Sequence, residues 1–315
     1  MTRAFIFPGQ GSQAVGMGKA LAEAFAAARE VFQEVDDALN QKLSKLMWEG
    51  PDDELLLTEN AQPAIMAASL AIIRVMQRDA SFDLAKHARL VAGHSLGEYT
   101  ALCAAGAFTL SDTARLLKAR GQAMQTAVPV GLGAMSALLG AEIDQAEALA
   151  KECAEATGGV CVVANDNAPG QVVISGSKAA IDKAPDFAKI KGIKRAMALN
   201  VSAPFHCPLM QPAADKMGEA LALVTIRPLA VPVVANVTAT ETAEPETIRR
   251  LLVEQVTARV RWRESVLAFR GYGVTTTVEA GGAKVLTGMV KRIDKELATV
   301  TLDTPADIEA FVKTL

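Results

Sequence analysis

Leu90-Val91-Ala92-Gly93-His94-Ser95-Leu96-Gly97-Glu98-Tyr99-Thr100-Ala101 is the stretch on which the fold turns. Its three leading apolar residues predict a buried strand, and the alanine-rich run from Glu98 to Ala105 predicts a helix. Gly-x-Ser-x-Gly between them predicts a nucleophile elbow, a turn so sharp that no side chain fits on either flank of the serine. Such a turn lifts the Ser95 hydroxyl out at the strand's carboxyl end. A helix amino terminus then points its unpaired N–H groups at the same place. Ser95 is therefore the first candidate nucleophile, against the plainer reading of a glycine-bracketed loop.

A chain of 315 residues predicts one large α/β domain carrying a smaller one. Half of the residues are hydrophobic but only 4% are aromatic, so the core must be built from Ala, Val, Leu and Ile. A net charge of −3 leaves no basic footprint and argues against a nucleic-acid partner. Lys284, Lys291, Arg292 and Lys295 form the local basic cluster that could meet an acidic partner, although a solvated helix face is the plainer reading. The four cysteines, Cys103, Cys153, Cys161 and Cys207, have neither C-x-x-C spacing nor a companion histidine pair, so neither zinc nor a disulfide framework is indicated. No charged leader precedes a long apolar run, and no stretch reaches the roughly 18 uninterrupted apolar residues of a spanning helix. A soluble, cytoplasmic protein is expected.

Strand, turn, helix is also how the chain begins. Phe5 to Phe7 predicts a buried strand, and Pro8-Gly9-Gln10-Gly11-Ser12-Gln13 breaks it before helical spacing starts near Met17. A second helix is expected after Asn60 with Pro63 near its first turn, and a third from about Ser111 to Gln125. From Ala134 the pattern becomes β-α-β-β-α-β, with Asn165-Asp166-Asn167-Ala168-Pro169-Gly170 as the predicted hairpin connection. After Ser202 a strand at Val231 to Ala235, a helix from Pro245 to about Val256, a strand at Thr275 to Glu279 and a final helix after Gly282 are expected. The fold class is thus α/β: an α/β-hydrolase-like parallel-sheet core with an inserted ferredoxin-like subdomain. Residues 1–129 and 200–315 would form the large domain and residues 130–199 the small one.

A serine hydroxyl needs a base, and there are three histidines to choose from. His87 sits in a polar stretch and reads as a surface residue. His94 adjoins the nucleophile, where adjacency turns its side chain away, so it is expected to brace the elbow. His206 remains, in the proline-stiffened loop Ala203-Pro204-Phe205-His206-Cys207-Pro208, and is the candidate base. No aspartate stands at a clear strand end between Ser95 and His206. A backbone carbonyl that accepts the other imidazole N–H could orient the ring instead.

Six ordered stretches carry a resemblance: Phe7-Pro8-Gly9-Gln10-Gly11-Ser12-Gln13, Gly93 to Tyr99, Arg120-Gly121-Gln122-Ala123-Met124-Gln125, Pro169 to Gly176, Phe205-His206, and Lys284-Val285-Leu286-Thr287-Gly288. Together they resemble the malonyl-CoA:acyl carrier protein transacylases of bacterial fatty acid synthesis over essentially the whole chain. The resemblance implies Ser95 as acyl-enzyme nucleophile and His206 as its base. It further implies the main-chain N–H groups of Gln10 and Leu96 as the oxyanion hole, Arg120 as a two-pronged clamp for the malonyl carboxylate, and Gln255 as the residue whose carbonyl orients the histidine. Without the family, Arg120 reads as a cation near a helix carboxyl end. Leu96 and Phe205 are similar to their counterparts in malonyl-selective members. The implied substrates are malonyl-CoA, a CoA thioester, and the acidic acyl carrier protein, with no permanently bound cofactor and no required oligomer. Two stretches depart from the family pattern, Ala258-Arg259-Val260 and Gly281-Gly282-Ala283, and they leave open the local loop shape and the register that places Gln255. A serine esterase or thioesterase, a silent acyl-CoA-binding module, and a transferase of another acyl group stand as the alternatives.

Overall fold

A computed structural model describes residues 2–201 and 203–315. Ser202, where the chain is expected to resume its α/β character, lies outside them. The first sheet has six strands: β1 (Arg3–Phe7), β2 (Leu90–Gly93), β7 (Val233–Val234), β8 (Glu241–Thr242), β9 (Thr276–Ala280) and β10 (Ala298–Leu302). The second is built from β3 (Gly133–Leu139), β4 (Cys161–Ala168), β5 (Gln171–Ser177) and β6 (Arg195–Ala198).

The six strands lie in the order β10-β9-β1-β2-β7-β8, parallel except for the short β8 at the edge. β1, β2 and β9 are buried along their whole length, as a parallel sheet covered on both faces requires. The helix Thr58–Asp79 packs against the helices Ala26–Leu39 and Leu110–Thr126, and its alanines let these backbones approach closely. It starts two residues before Asn60, and Pro63 falls inside it.

The second sheet runs β4-β5-β3-β6 with antiparallel pairing throughout, and the helix Ile143–Thr157 contacts β4 and β5. This is the strand order of a ferredoxin-like unit, and its core of Leu138, Leu149, Ile174 and their neighbours is separate from that of the large sheet. The hairpin is tighter than the sequence predicts: Asn165, Asp166 and Asn167 belong to β4, and only Pro169-Gly170 turns the chain. Turn-forming residues stay extended here because each finds a partner outside the sheet. Val260 pairs with β4 (Val260 N to Ala164 O 2.8 Å, Asp166 N to Val260 O 3.0 Å), Asp166 accepts from Arg263 at 3.0 Å, and Asn167 faces His94 at 2.8 Å. β8, β10 and the helix Pro305–Val312 are elements that the sequence reading omits.

Candidate active site

The register of the parallel sheet assembles the site. Phe7 at the end of β1 is opposite Gly93 at the end of β2, so the loops that follow leave side by side, one carrying Gln10 and the other Ser95. On the far flank of β2, Val234 of β7 is opposite Ala92, which brings Asn236 to the same edge. Open parallel sheets present their ligand sites at this carboxyl edge.

Ser95 has φ 54° and ψ −111°, a conformation that a residue with a side chain adopts only under constraint. The constraint is visible: Asn236 Oδ1 accepts from the Ser95 N–H at 2.7 Å, and Asn236 Nδ2 donates to Gly93 O at 2.6 Å. A Cβ on Gly93 would lie 1.9 Å from Gly97 O, and one on Gly97 would lie 2.2 Å from Phe7 O. Close approach of three backbones thus requires both glycines.

His206 Nε2 stands 2.8 Å from Ser95 Oγ, and His206 Nδ1 stands 2.8 Å from the main-chain oxygen of Gln255. A carbonyl only accepts, so Nδ1 carries the proton and Nε2 offers its lone pair to the hydroxyl. Burial, and next the positive charge of Arg120, pull the imidazole down to about 3. The ring is therefore neutral near pH 7, in the state a base needs.

Arg120, on the helix Leu110–Thr126, is 1% exposed. One terminal nitrogen donates to Gln62 Oε1 at 2.8 Å, and the other donates to Gln255 Oε1 at 2.9 Å and to Ser95 Oγ at 3.1 Å. Its Nε–H is buried and has no acceptor among the described residues. The helix runs on to Thr126, so Arg120 points inward from mid-helix and is not a cation at a helix end.

Gln10, Ser95, Leu96, Arg120 and His206 line one cavity of about 420 Å³, closed on the other side by Met135, Asn165 and Val173 of the antiparallel sheet. Gln255 lies behind its wall. The main-chain N–H groups of Gln10 and Leu96 have no acceptor among the described residues. The side chain of Gln10 is held by the Thr58 hydroxyl at 2.9 Å.

The acyl transferase domain family matches residues 4–303. The chain belongs to this family. It is 43% identical over 312 residues to a protein of Bacillus subtilis (strain 168) named malonyl CoA-acyl carrier protein transacylase, with 99% of this chain and 96% of that protein covered. It is 44% identical over 311 residues to the protein of that name from Escherichia coli (strain K12), with 98% of each covered. A crystal structure of an acyl-carrier-protein S-malonyltransferase from Bartonella henselae superposes with a TM-score of 0.97 at 53% identity, covering 100% of this chain and 99% of that one. A malonyl-transacylase solved in complex with its type II polyketide synthase acyl carrier protein superposes with a TM-score of 0.95 at 41% identity, with 100% of both chains covered.

Four polar residues complete the site of this acyl transferase that sequence reasoning did not single out: Asn236, Gln62, Asn167 and, as a partner of the site, Glu98. All four are buried in the fold; Gln62, Glu98 and Asn236 are single polar residues between apolar neighbours, a signal visible in the sequence, whereas Asn167 was hidden in a polar run. Asn167 accepts from His94 and so ties the elbow to β4. His87 lies apart, stacked on Phe82 with its Nδ1 at the Asp83 carbonyl. Of the two departures from the family pattern, Ala258-Arg259-Val260 is pinned by the pairing of Val260 with β4 and by Arg259 on Glu147 at 2.7 Å, and Gln255 caps the helix Pro245–Glu254. The other, Gly281-Gly282-Ala283, runs with Lys284 through four successive positive φ angles. Within the basic cluster, Arg292 is engaged by Gln171 Oε1 at 2.7 Å and Pro169 O at 2.9 Å, while Lys284, Lys291 and Lys295 are exposed.

Proposed function

We propose that this chain transfers the malonyl group from malonyl-CoA to the phosphopantetheine thiol of acyl carrier protein through an acyl-enzyme on Ser95. The observation that carries the reading is the environment of Arg120: a buried guanidinium, bonded to neutral groups alone, whose Nη2 is 3.1 Å from the nucleophile oxygen. A buried cation of this kind suits an anionic substrate group. The relatives' names support these substrates, and the geometry supports the following steps.

Ser95 Oγ attacks the thioester carbonyl as His206 Nε2 takes its proton. The N–H groups of Gln10 and Leu96 receive the negative charge that develops on the carbonyl oxygen, a contribution of about 3 kcal/mol for a preorganised donor. The C–S bond then breaks, and the imidazolium returns the proton to the sulfur, releasing CoA. In the second half the carrier thiol gives its proton to His206 and attacks the ester, and Ser95 recovers its hydrogen. CoA takes part as substrate and product. Arg120 exchanges its bond to Ser95 Oγ for a two-pronged grip on the malonyl carboxylate, which holds the acyl group for the incoming thiol.

An esterase reading fits less well. The imidazole leans on a neutral carbonyl where hydrolases use an acid, and the nearby buried acid, Glu98, bonds Gln255 and Asn236. We take residues 130–199 as a small subdomain that walls the cleft against water. We place the reaction in the cytoplasm, in keeping with four free cysteines. Among the described residues no helix is long and apolar enough to cross a membrane. The test is brief mixing with malonyl-CoA, acetyl-CoA and methylmalonyl-CoA in competition, followed by intact-mass measurement and addition of carrier protein. Malonate on Ser95 that moves to the carrier thiol is expected. Failure to trap it, or its release as free malonate only, refutes the assignment.

A further inference from the structure

Glu98 has no role in these steps, yet it is 2% exposed and lies in the first turn of the helix that begins at the elbow. Its Oε2 accepts from the Asn236 N–H at 3.1 Å and from Gln255 Nε2 at 2.7 Å. Gln255 Nε2 donates also to Ser95 O at 3.0 Å, while Gln255 Oε1 accepts from Arg120 at 2.9 Å. One amide thus stands between a buried guanidinium and a buried carboxyl group.

A glutamine amide can turn over, and only one of its two orientations suits this place. With Oε1 toward Arg120, the amide accepts from the guanidinium and its own Nε2 meets acceptors in Glu98 and Ser95 O. Turned over, an N–H would face the guanidinium and the carbonyl would face both Glu98 and Ser95 O, with like dipoles opposed on both sides. The main-chain carbonyl of the same residue holds His206 Nδ1. Direct contact between Glu98 and Arg120 would satisfy the guanidinium and leave the substrate anion nothing to bind. An interposed amide compensates both charges and keeps Arg120 open.

We propose that Glu98 is a positioning residue for acyl selectivity: by accepting from Gln255 it locks the amide that presents Arg120 to the malonyl carboxylate. This rests on the function proposed above, and it assigns to a helix residue behind the pocket a part in choosing the acyl group. Burial raises the Glu98 carboxyl to about 7, with Gln255, Asn236 and Arg120 opposing the shift.

The experiment compares Ser95 acylation rates by malonyl-CoA and acetyl-CoA in the parent, Glu98→Gln and Glu98→Met, with thermal midpoints measured alongside. Glu98→Gln keeps an acceptor oxygen in place, so its malonyl-to-acetyl ratio should stay within about threefold of the parent. Glu98→Met frees the amide, and the ratio should fall at least about tenfold. Folded Glu98→Met with the parent's ratio overturns the proposal, as does an equal fall in both variants. Should Glu98→Met not fold, the exchanged pair Glu98→Gln with Gln255→Glu decides. It places a carboxylate directly on Arg120, and the ratio should fall at least about tenfold, whereas an unchanged ratio overturns the proposal. A parent that acylates with neither substrate refutes the function proposed above and the role of Glu98 with it, whereas a parent that prefers malonyl-CoA beside a folded Glu98→Met of unchanged ratio refutes the role of Glu98 alone.

Discussion

Replacing Arg120 by alanine separates binding of the acyl tail from chemistry at the carbonyl. In the proposed malonyl-enzyme the guanidinium would face the substrate carboxylate, in a pocket where Arg120 is 1% exposed, so little solvent screening applies. Removing one partner of a buried ion pair costs about 3–5 kcal/mol, which is about two to nearly four powers of ten in rate at 1.36 kcal/mol per decade. The same change also strips Gln62 Oε1 and Gln255 Oε1 of a donor, at about 1 kcal/mol or more each, and these losses fall on every acyl group alike. Absolute rates will therefore drop for both substrates, and the malonyl-to-acetyl ratio isolates the clamp. The assay is single-turnover acylation of Ser95 followed by mass spectrometry, with acetyl-CoA as the reference. A ratio lowered by about two powers of ten or more is expected. Equal losses for malonyl-CoA and acetyl-CoA would refute the clamp and reduce Arg120 to a packing residue.

Other consequences follow from the same geometry. Because His206 is held down to about 3, the acylation rate should stay level between about pH 8 and pH 5; an acid limb centred near pH 6.5 in the free enzyme would contradict the buried, neutral base. Glu98 sits at about 7 in the fold against 4.5 as its ordinary value, so the native state binds more protons in that window and loses stability as pH rises through it. Thermal melts of Glu98→Gln should thus gain on the parent from about pH 4.5 to 7 and run parallel above, whereas a constant offset would show that Glu98 does not titrate there. Gly97→Ala forces a methyl 2.2 Å from Phe7 O, against backbone that cannot yield, and should cost about 3 kcal/mol or more, a fall of about 5 °C or more in the melting midpoint; a midpoint matching the parent would mean the elbow is looser than described. Arg263→Met leaves the Asp166 carboxyl, already raised by burial, without its guanidinium. The destabilisation should be larger at pH 8, where the charge is unpaired, than near pH 4, where a carboxyl raised above its ordinary value is protonated in good part, and equal losses at the two pH values would rule out that pairing.

Local sequence carried much of the fold because its strongest signals are steric and short-range. Gly93 and Gly97 announce the elbow, since no other residue fits between three backbones, and an apolar strand before it with an alanine-rich helix after it can close in few ways. The alternation of elements after Ala134 is legible for the same reason. What failed was the reading of Asn165, Asp166 and Asn167 as a turn: their local preference was overruled by Val260, Arg263 and His94, which are distant in sequence. β10 and the helix Pro305–Val312 went unread, although β10 pairs with β9 along its whole length.

Sequence by itself determined the candidate nucleophile, the shortage of candidate bases and the two-sheet plan, because these depend on residue type and neighbours along the chain. The resemblance implied that the Gln255 carbonyl orients His206 but left its register open; tertiary structure alone decided that register, that Arg120 is buried without a carboxylate of its own, and that Gln62, Asn236 and Glu98 hold the arrangement. Those facts depend on the parallel register that sets Phe7 opposite Gly93 and Ala92 opposite Val234, which brings loops more than eighty residues apart in sequence to one edge. Hydrogen bonds act over about 3 Å, and only the folded sheet puts these groups within that reach.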